Sequence, residues 1–181
     1  VALKSRTGTS DENLASDYIY NYISSLEYFK EHSENCGLAA IDTDPMKRHI
    51  PYGLIQGKSG DTVILSGHFD VVDEFDYGDA REIAYNIGEE LENALKKNTL
   101  TEEQKQDMES GEWIWAKGAA DMKGGLAIHM ALLEEFSGQA LAGELEGSVL
   151  FIAVPDEESY SCGMRASSAL LARLRKKKNL D

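Results

Sequence analysis

Residues 149–154, read with their neighbours as SVLFIAVP, are apolar without alternation. A strand wetted on one face alternates apolar and polar at every second residue, so an unbroken run must bury both faces. A chain containing such a strand is steered toward a sheet with helices on both sides. The flanking sequence supplies them. In residues 11–30, Leu14, Tyr18, Ile19, Tyr22, Ile23, Leu26 and Phe29 recur at three- and four-residue steps, and Ser10 or Asp11 can cap the start. Further helices are expected over about 122–136 and from about Cys162 to Lys178, the last ending in cations that suit the helix dipole. Strand-like stretches at 52–56 and 62–66 are joined by the turn-rich residues 57–61, and a short apolar stretch covers Trp113–Ala116. Trp113 and Trp115 are expected to pack against the sheet. Together these elements predict an α/β domain with a mostly parallel sheet flanked by helices.

Residues 73–112 differ in character. They hold 13 Asp/Glu against 4 Lys/Arg, with Ile83, Ile87, Leu91 and Leu95 at a helical period. They read as one or two solvated helices laid over the domain. Overall, 18 basic residues face 32 acidic ones, a net charge of −14. So acidic a surface repels phosphate backbones and anionic lipid, which argues against nucleic-acid and membrane partners. No stretch approaches the ~20 apolar residues of a membrane helix. Two cysteines, Cys36 and Cys162, cannot build a disulfide framework, so a reducing, cytoplasmic setting is expected. The chain begins at Val1 and stops just after a basic run, as a piece of something longer would.

Three strand-like segments run into residues able to bind a cation. After 62–67 come His68 and Asp70; residues two apart on a strand share a face, so the carboxylate can orient the imidazole. An isolated H-x-D can equally be a hydrogen bond at a sheet edge. After 113–116 comes Asp121, crowded by Gly118, Ala119, Ala120, Gly124 and Gly125. It reads either as a ligand approached closely by backbone or as a helix N-cap. After Pro155 come Asp156, Glu157 and Glu158, adjacent acids that repel unless a cation or a raised pKa relieves them, or that form a solvated turn. In open α/β sheets ligands bind beyond the carboxyl ends of the strands, where the three clusters would converge. One imidazole with several carboxylates suits Zn²⁺, Mn²⁺ or Co²⁺.

Other motifs fall away. Gly53–Ser59 is one residue short of a P-loop and links two strands, and no G-x-S-x-G elbow exists for a serine nucleophile. His129 lies mid-helix among apolar neighbours, and His32 and His49 have no partner pattern.

Ser66-Gly-His-Phe-Asp-Val-Val72, Lys117-Gly-Ala-Ala-Asp-Met-Lys-Gly-Gly125 and Asp156-Glu-Glu158 followed by Ser161 and Gly163 resemble, in order, three signatures of the dinuclear-zinc aminoacylase and carboxypeptidase superfamily. That family includes acetylornithine deacetylase, succinyl-diaminopimelate desuccinylase and bacterial glutamate carboxypeptidase. The likeness runs from Thr7-Gly-Thr9 onward. The acidic segment, with Asp76-Tyr77-Gly78 and Ser110–Trp113, is most similar to its arginine-utilisation branch of predicted deacylases.

The resemblance implies the N-terminal part of a zinc-exopeptidase-like catalytic domain spanning 1–181, with 73–112 as an acidic helical insertion. It implies two divalent metal ions, Zn²⁺ foremost with Co²⁺ or Mn²⁺ as alternatives. His68 would bind one, Asp121 would bridge both and Glu158 would bind the second. Asp70 would orient His68, and Glu157 would be the base that moves a proton from water to the leaving amine. A cis peptide is implied after Asp121. The substrate would be a small N-acyl amino acid or peptide, and the full-length protein would oligomerise through a further domain. The family takes another acid and a histidine from beyond the Glu-Glu pair; here 23 residues follow Glu158, and none is histidine. The chain is therefore expected to hold part of an active site and to be inactive alone. Two competing readings are a non-catalytic scaffold that keeps the fold for binding, and a nucleotide-binding α/β domain resting on the near-miss P-loop.

Overall fold

A computed structural model describes all of residues 1–181. Its centre is the apolar run itself, strand β4 (Ser148–Val154), buried along its whole length. Three other strands, β1 (Cys36–Ala40), β2 (His49–Ile55) and β3 (Thr62–His68), complete a sheet in the order β1-β2-β4-β3. Alternate β4 side chains enter opposite layers. Val149, Phe151 and Ala153 meet Ala15, Ile19, Ile23, Tyr28, Phe29, Leu126 and Leu133 on one side. Leu150, Ile152 and Val154 meet Ile50, Leu54, Leu170, Leu174 and Leu180 on the other. Both faces are dry, which is why the sequence shows no alternation there.

The first layer holds α1 (Asp11–Ser25), α2 (Glu27–Glu31) and α5 (Gly124–Leu141); the second holds α6 (Cys162–Lys178). The single helix expected over 11–30 is broken at Leu26, whose extended backbone (ψ 141°) redirects the chain. Tyr28 and Phe29 then enter the core, and the Tyr28 hydroxyl accepts the Gln56 N–H at 2.9 Å. The buried stripe of α1 is Glu12, Ala15, Ser16, Ile19 and Ile23, while Leu14 and Tyr18 stay exposed.

The α/β class is as expected, but the sheet is mixed rather than mostly parallel. Only β3 and β4 run parallel; β1 with β2 and β2 with β4 are antiparallel. Residues 41–48 are too short a link for a parallel crossover, which needs a dozen residues or more. The 56–61 link reverses the chain between β2 and β3, yet β4 is slotted between them. The link crosses the start of β4, with Lys58 and Ser59 N–H donated to the carbonyls of Leu145 and Glu146, and Ser148 N–H to that of Asp61. A side chain at Gly57 would strike the Gly147 carbonyl, so this glycine serves backbone packing, not phosphate binding.

Residues 73–112 form a 3₁₀ segment (Phe75–Ile83) and the helices α3 (Glu89–Leu95) and α4 (Glu102–Ser110). Leu91 is fully buried with Ala80 and Ala116, and Ile87 is exposed. Trp113–Ala116 is not a strand. It has no strand beside it, Lys117 N–H goes to the Ala84 carbonyl instead, and Trp113 is 58% exposed rather than packed on the sheet. No helix is long and apolar enough to cross a membrane.

Candidate metal centre

The parallel pair sets the site. In its register Thr62 lies opposite Ser148 and His68 opposite Val154, so both strands finish side by side. The loops that follow, 69–72 and 155–161, therefore leave the sheet together at its carboxyl edge, the usual location for a ligand. The turn 119–123 before α5 brings Asp121 to the same edge, and the Asp121–Met122 peptide is cis.

His68 is 7% exposed, and both ring nitrogens are engaged. Nδ1 lies 2.9 Å from the Asp70 main-chain carbonyl, and Nε2 lies 3.0 Å from Asp121 Oδ1 and 3.7 Å from Glu157 Oε2. Burial by itself lowers an imidazole pKa. Here the Asp70 carboxylate and carbonyl, with Asp121, outweigh burial and push His68 up to about 9. Glu158 is shifted upward, first by burial and then by the negative charge of Asp121. The His68 shift reflects the acids gathered round the imidazole, and the Glu158 shift reflects burial first. One candidate donor atom each from His68, Asp121 and Glu158 lie within 4.8 Å of one another. With Nδ1–H given to the Asp70 carbonyl, loss of the Nε2 proton would leave its lone pair to face a divalent cation beside Asp121. An imidazole and two carboxylates are a fitting donor set for Zn²⁺, Co²⁺ or Mn²⁺.

Asp70 meets His68 twice: its carboxylate stands 3.5 Å from Nδ1, and its backbone carbonyl lies 2.9 Å from the same nitrogen. The carboxylate is fully buried and otherwise occupied. Oδ1 accepts the Glu157 N–H at 3.0 Å, and Oδ2 accepts the Glu158 N–H at 3.1 Å and the Thr7 hydroxyl at 2.9 Å. These donors and His68 hold its pKa below the usual carboxylate value despite burial. Asp70 thus ties the turn after β4 to the loop after β3. Glu157 projects outward, its side chain 46% exposed, and that of Asp121 is 75% exposed.

A second charged group beneath the turn was not legible in the sequence. Arg48 is 5% exposed and faces three buried carboxylates. Its Nη1 reaches Glu12 at 2.8 Å and Asp156 at 3.1 Å, its Nε and Nη2 reach Asp44 at 2.9 and 2.8 Å, and Nη2 lies 3.3 Å from Cys162 Sγ. Glu12 sits in a helix first turn and Arg48 in a polar loop, and no local pattern links positions 36 and 108 residues apart.

The model of Peptidase family M20/M25/M40 matches residues 64–181. The chain is 38% identical to Protein RocB and 36% identical to the uncharacterized protein YqjN, both of Bacillus subtilis, over 99% of its own length. It spans about a third (32%) of each of those relatives. A Staphylococcus aureus tripeptidase structure aligns over 91% of this chain and 36% of its own, at 15% identity and a TM-score of 0.49.

Proposed function

Because the chain belongs to peptidase family M20/M25/M40, we propose that it carries part of the active site of a metal-dependent hydrolase of amide bonds in N-acyl amino acids or small peptides. The observation that most supports this reading is the convergence of His68, Asp121 and Glu158 at the carboxyl edge of β3 and β4. These residues would hold two divalent cations, Zn²⁺ foremost, with Asp121 between them. Such cations supply Lewis-acid polarisation of a carbonyl and lower the pKa of water.

The chain's own residues do the rest. His68 presents Nε2 because Nδ1–H is donated to the Asp70 carbonyl. Asp70 fixes the backbone of Glu157 and Glu158 through two N–H bonds, holding the turn beside His68 and Asp121. Glu157, partly exposed and 3.7 Å from His68 Nε2, takes a proton from the attacking water and returns it to the leaving amine. Counting donors, this chain would offer two ligands to each cation, whereas catalytic zinc has three from protein. The remaining ligands would come from sequence outside this chain, so residues 1–181 form the N-terminal portion of the catalytic domain, with 73–112 as an insertion, and are inactive alone. The resemblance of that insertion to the arginine-utilisation branch of the family, beside 38% identity to RocB, supports placing the protein in that branch.

The test has two arms. Zn²⁺ uptake by this chain is measured beside Asp121→Ala and Glu158→Ala, and stoichiometric binding lost in both is expected. Uptake indifferent to both substitutions would refute the ligand assignment. In the full-length protein, Glu157→Gln should lower kcat on N-acyl amino acids about 10²–10⁴-fold, as loss of a general base does.

A further inference from the structure

The acidic turn after β4 is hung by its backbone from two buried carboxylates. Glu157 and Glu158 donate their N–H groups to Asp70, and Asp156 donates its own to Glu12 Oε2 at 2.9 Å. Asp156 adopts φ +63°, a conformation that side chains seldom take without being held there. Glu12 is itself fully buried, and its other oxygen, Oε1, accepts the Gly8 N–H at 2.9 Å and Arg48 Nη1 at 2.8 Å. Arg48 Nη1 also takes Asp156 Oδ1, whose partner oxygen Oδ2 accepts the Cys162 N–H at the start of α6. All five guanidinium N–H donors are thereby used, on Glu12, Asp156, Asp44 and Cys162.

We propose that Glu12 and Arg48 are positioning residues that set the placement of Glu157 and Glu158 at the metal site, gripping Asp156 by its backbone and its side chain respectively. The proposal rests on the metal-site reading above. A buried Arg with three buried acids gives little net stability compared with apolar packing, since desolvation opposes the attraction. What the arrangement does supply is direction: a planar fork accepts only one disposition of its partners. Asp44 is the internal comparison. It holds Arg48 as tightly as the others but touches nothing on the 156–158 turn.

Co²⁺ alone is the probe. Its affinity and visible spectrum are measured on the 181-residue chain and on Glu12→Gln, Arg48→Lys, Asp44→Asn and Asp121→Ala. A glutamine at 12 cannot accept from both Asp156 and the Arg48–Gly8 side, and a lysine at 48 cannot span two acids. Both should lower Co²⁺ affinity about 10–100-fold, as outer partners of metal ligands do, and alter the saturated spectrum. Amide hydrogen exchange at 156–158 should quicken in both. Asp44→Asn disturbs the same buried cluster and should leave affinity, spectrum and exchange at 156–158 unchanged. Two substitutions are used so that one that fails to fold leaves the other to decide. Binding and exchange in Glu12→Gln or Arg48→Lys no different from Asp44→Asn, with Asp121→Ala still abolishing uptake, would overturn the positioning role alone. Uptake absent from the unaltered chain, or indifferent to Asp121→Ala, would remove the metal-site reading and this proposal with it.

Discussion

Asp70 shows how one side chain can do several jobs at once. Its carbonyl orients His68, and its buried carboxylate collects Thr7, Glu157 and Glu158. Replacing it with alanine leaves two part-buried backbone N–H groups without their acceptor, and each unsatisfied buried donor costs about 1–3 kcal/mol. Asp70→Ala should therefore lose about 2–5 kcal/mol in urea unfolding, well beyond the roughly 1 kcal/mol of a typical single hydrogen bond expected for Thr7→Val. Equal losses in the two variants would show that the N–H bonds to the turn contribute nothing. The identities of His68, Asp70, Asp121, Glu157 and Glu158 were legible as chemistry-bearing residues at the ends of apolar runs. That Asp70 would grip the turn was not, because its partners lie 87 and 88 residues away.

At the scale of elements, burial separates those the fold depends on from those it merely carries. Phe151, in the middle of β4, is fully buried between α1, α2 and α5. Phe151→Ala should cost about 3–5 kcal/mol, through lost transfer energy and the cavity left behind. Helix α4 is the opposite case. Only Met108 of its nine residues is buried, and a reciprocal cap between Thr101 and Gln104 holds its start. Thr101→Ala should cost about 1 kcal/mol locally, read as faster hydrogen exchange over 102–110 with the global unfolding midpoint unmoved. If that midpoint moved as far as in Phe151→Ala, α4 would have to be part of the cooperative core. Strand β4 and helix α6 were legible at nearly their observed limits, because a sustained apolar pattern is a local property. Trp113–Ala116 was misread for the complementary reason. A short apolar run becomes a strand only if another strand offers hydrogen bonds beside it, and none does.

For the whole molecule the charge of −14 and the buried acids set the response to pH. Asp44 is held low by Arg48; Asp156 and Asp70 are held low, against burial, by hydrogen bonds and by Arg48 or His68 nearby. Each has a folded pKa below its unfolded one, so the stabilisation is complete above about pH 4 and is lost as pH falls through the folded values. Glu12 and Glu158 are raised mainly by burial and carry the opposite sign, their penalty easing as pH falls. The urea midpoint of the metal-free protein should therefore hold or rise slightly from pH 7 to about 5 and fall steeply below about 4. A midpoint still level at pH 3 would mean that the three aspartates are not stabilised by their partners.

The sequence by itself determined which segments are buried on two faces, which helices cover them, and which residue types stand at the strand ends. Each of these is written in periodicity and composition over about twenty residues or fewer. Only the tertiary structure decided that β4 lies between β2 and β3, that one strand pair in three is parallel, and that Arg48 and Glu12 meet beneath the acidic turn. Strand order and the meeting of Arg48 with Glu12 and Asp156 are contacts between distant positions, fixed by which surfaces can exclude water together, and no local stretch of sequence contains both partners.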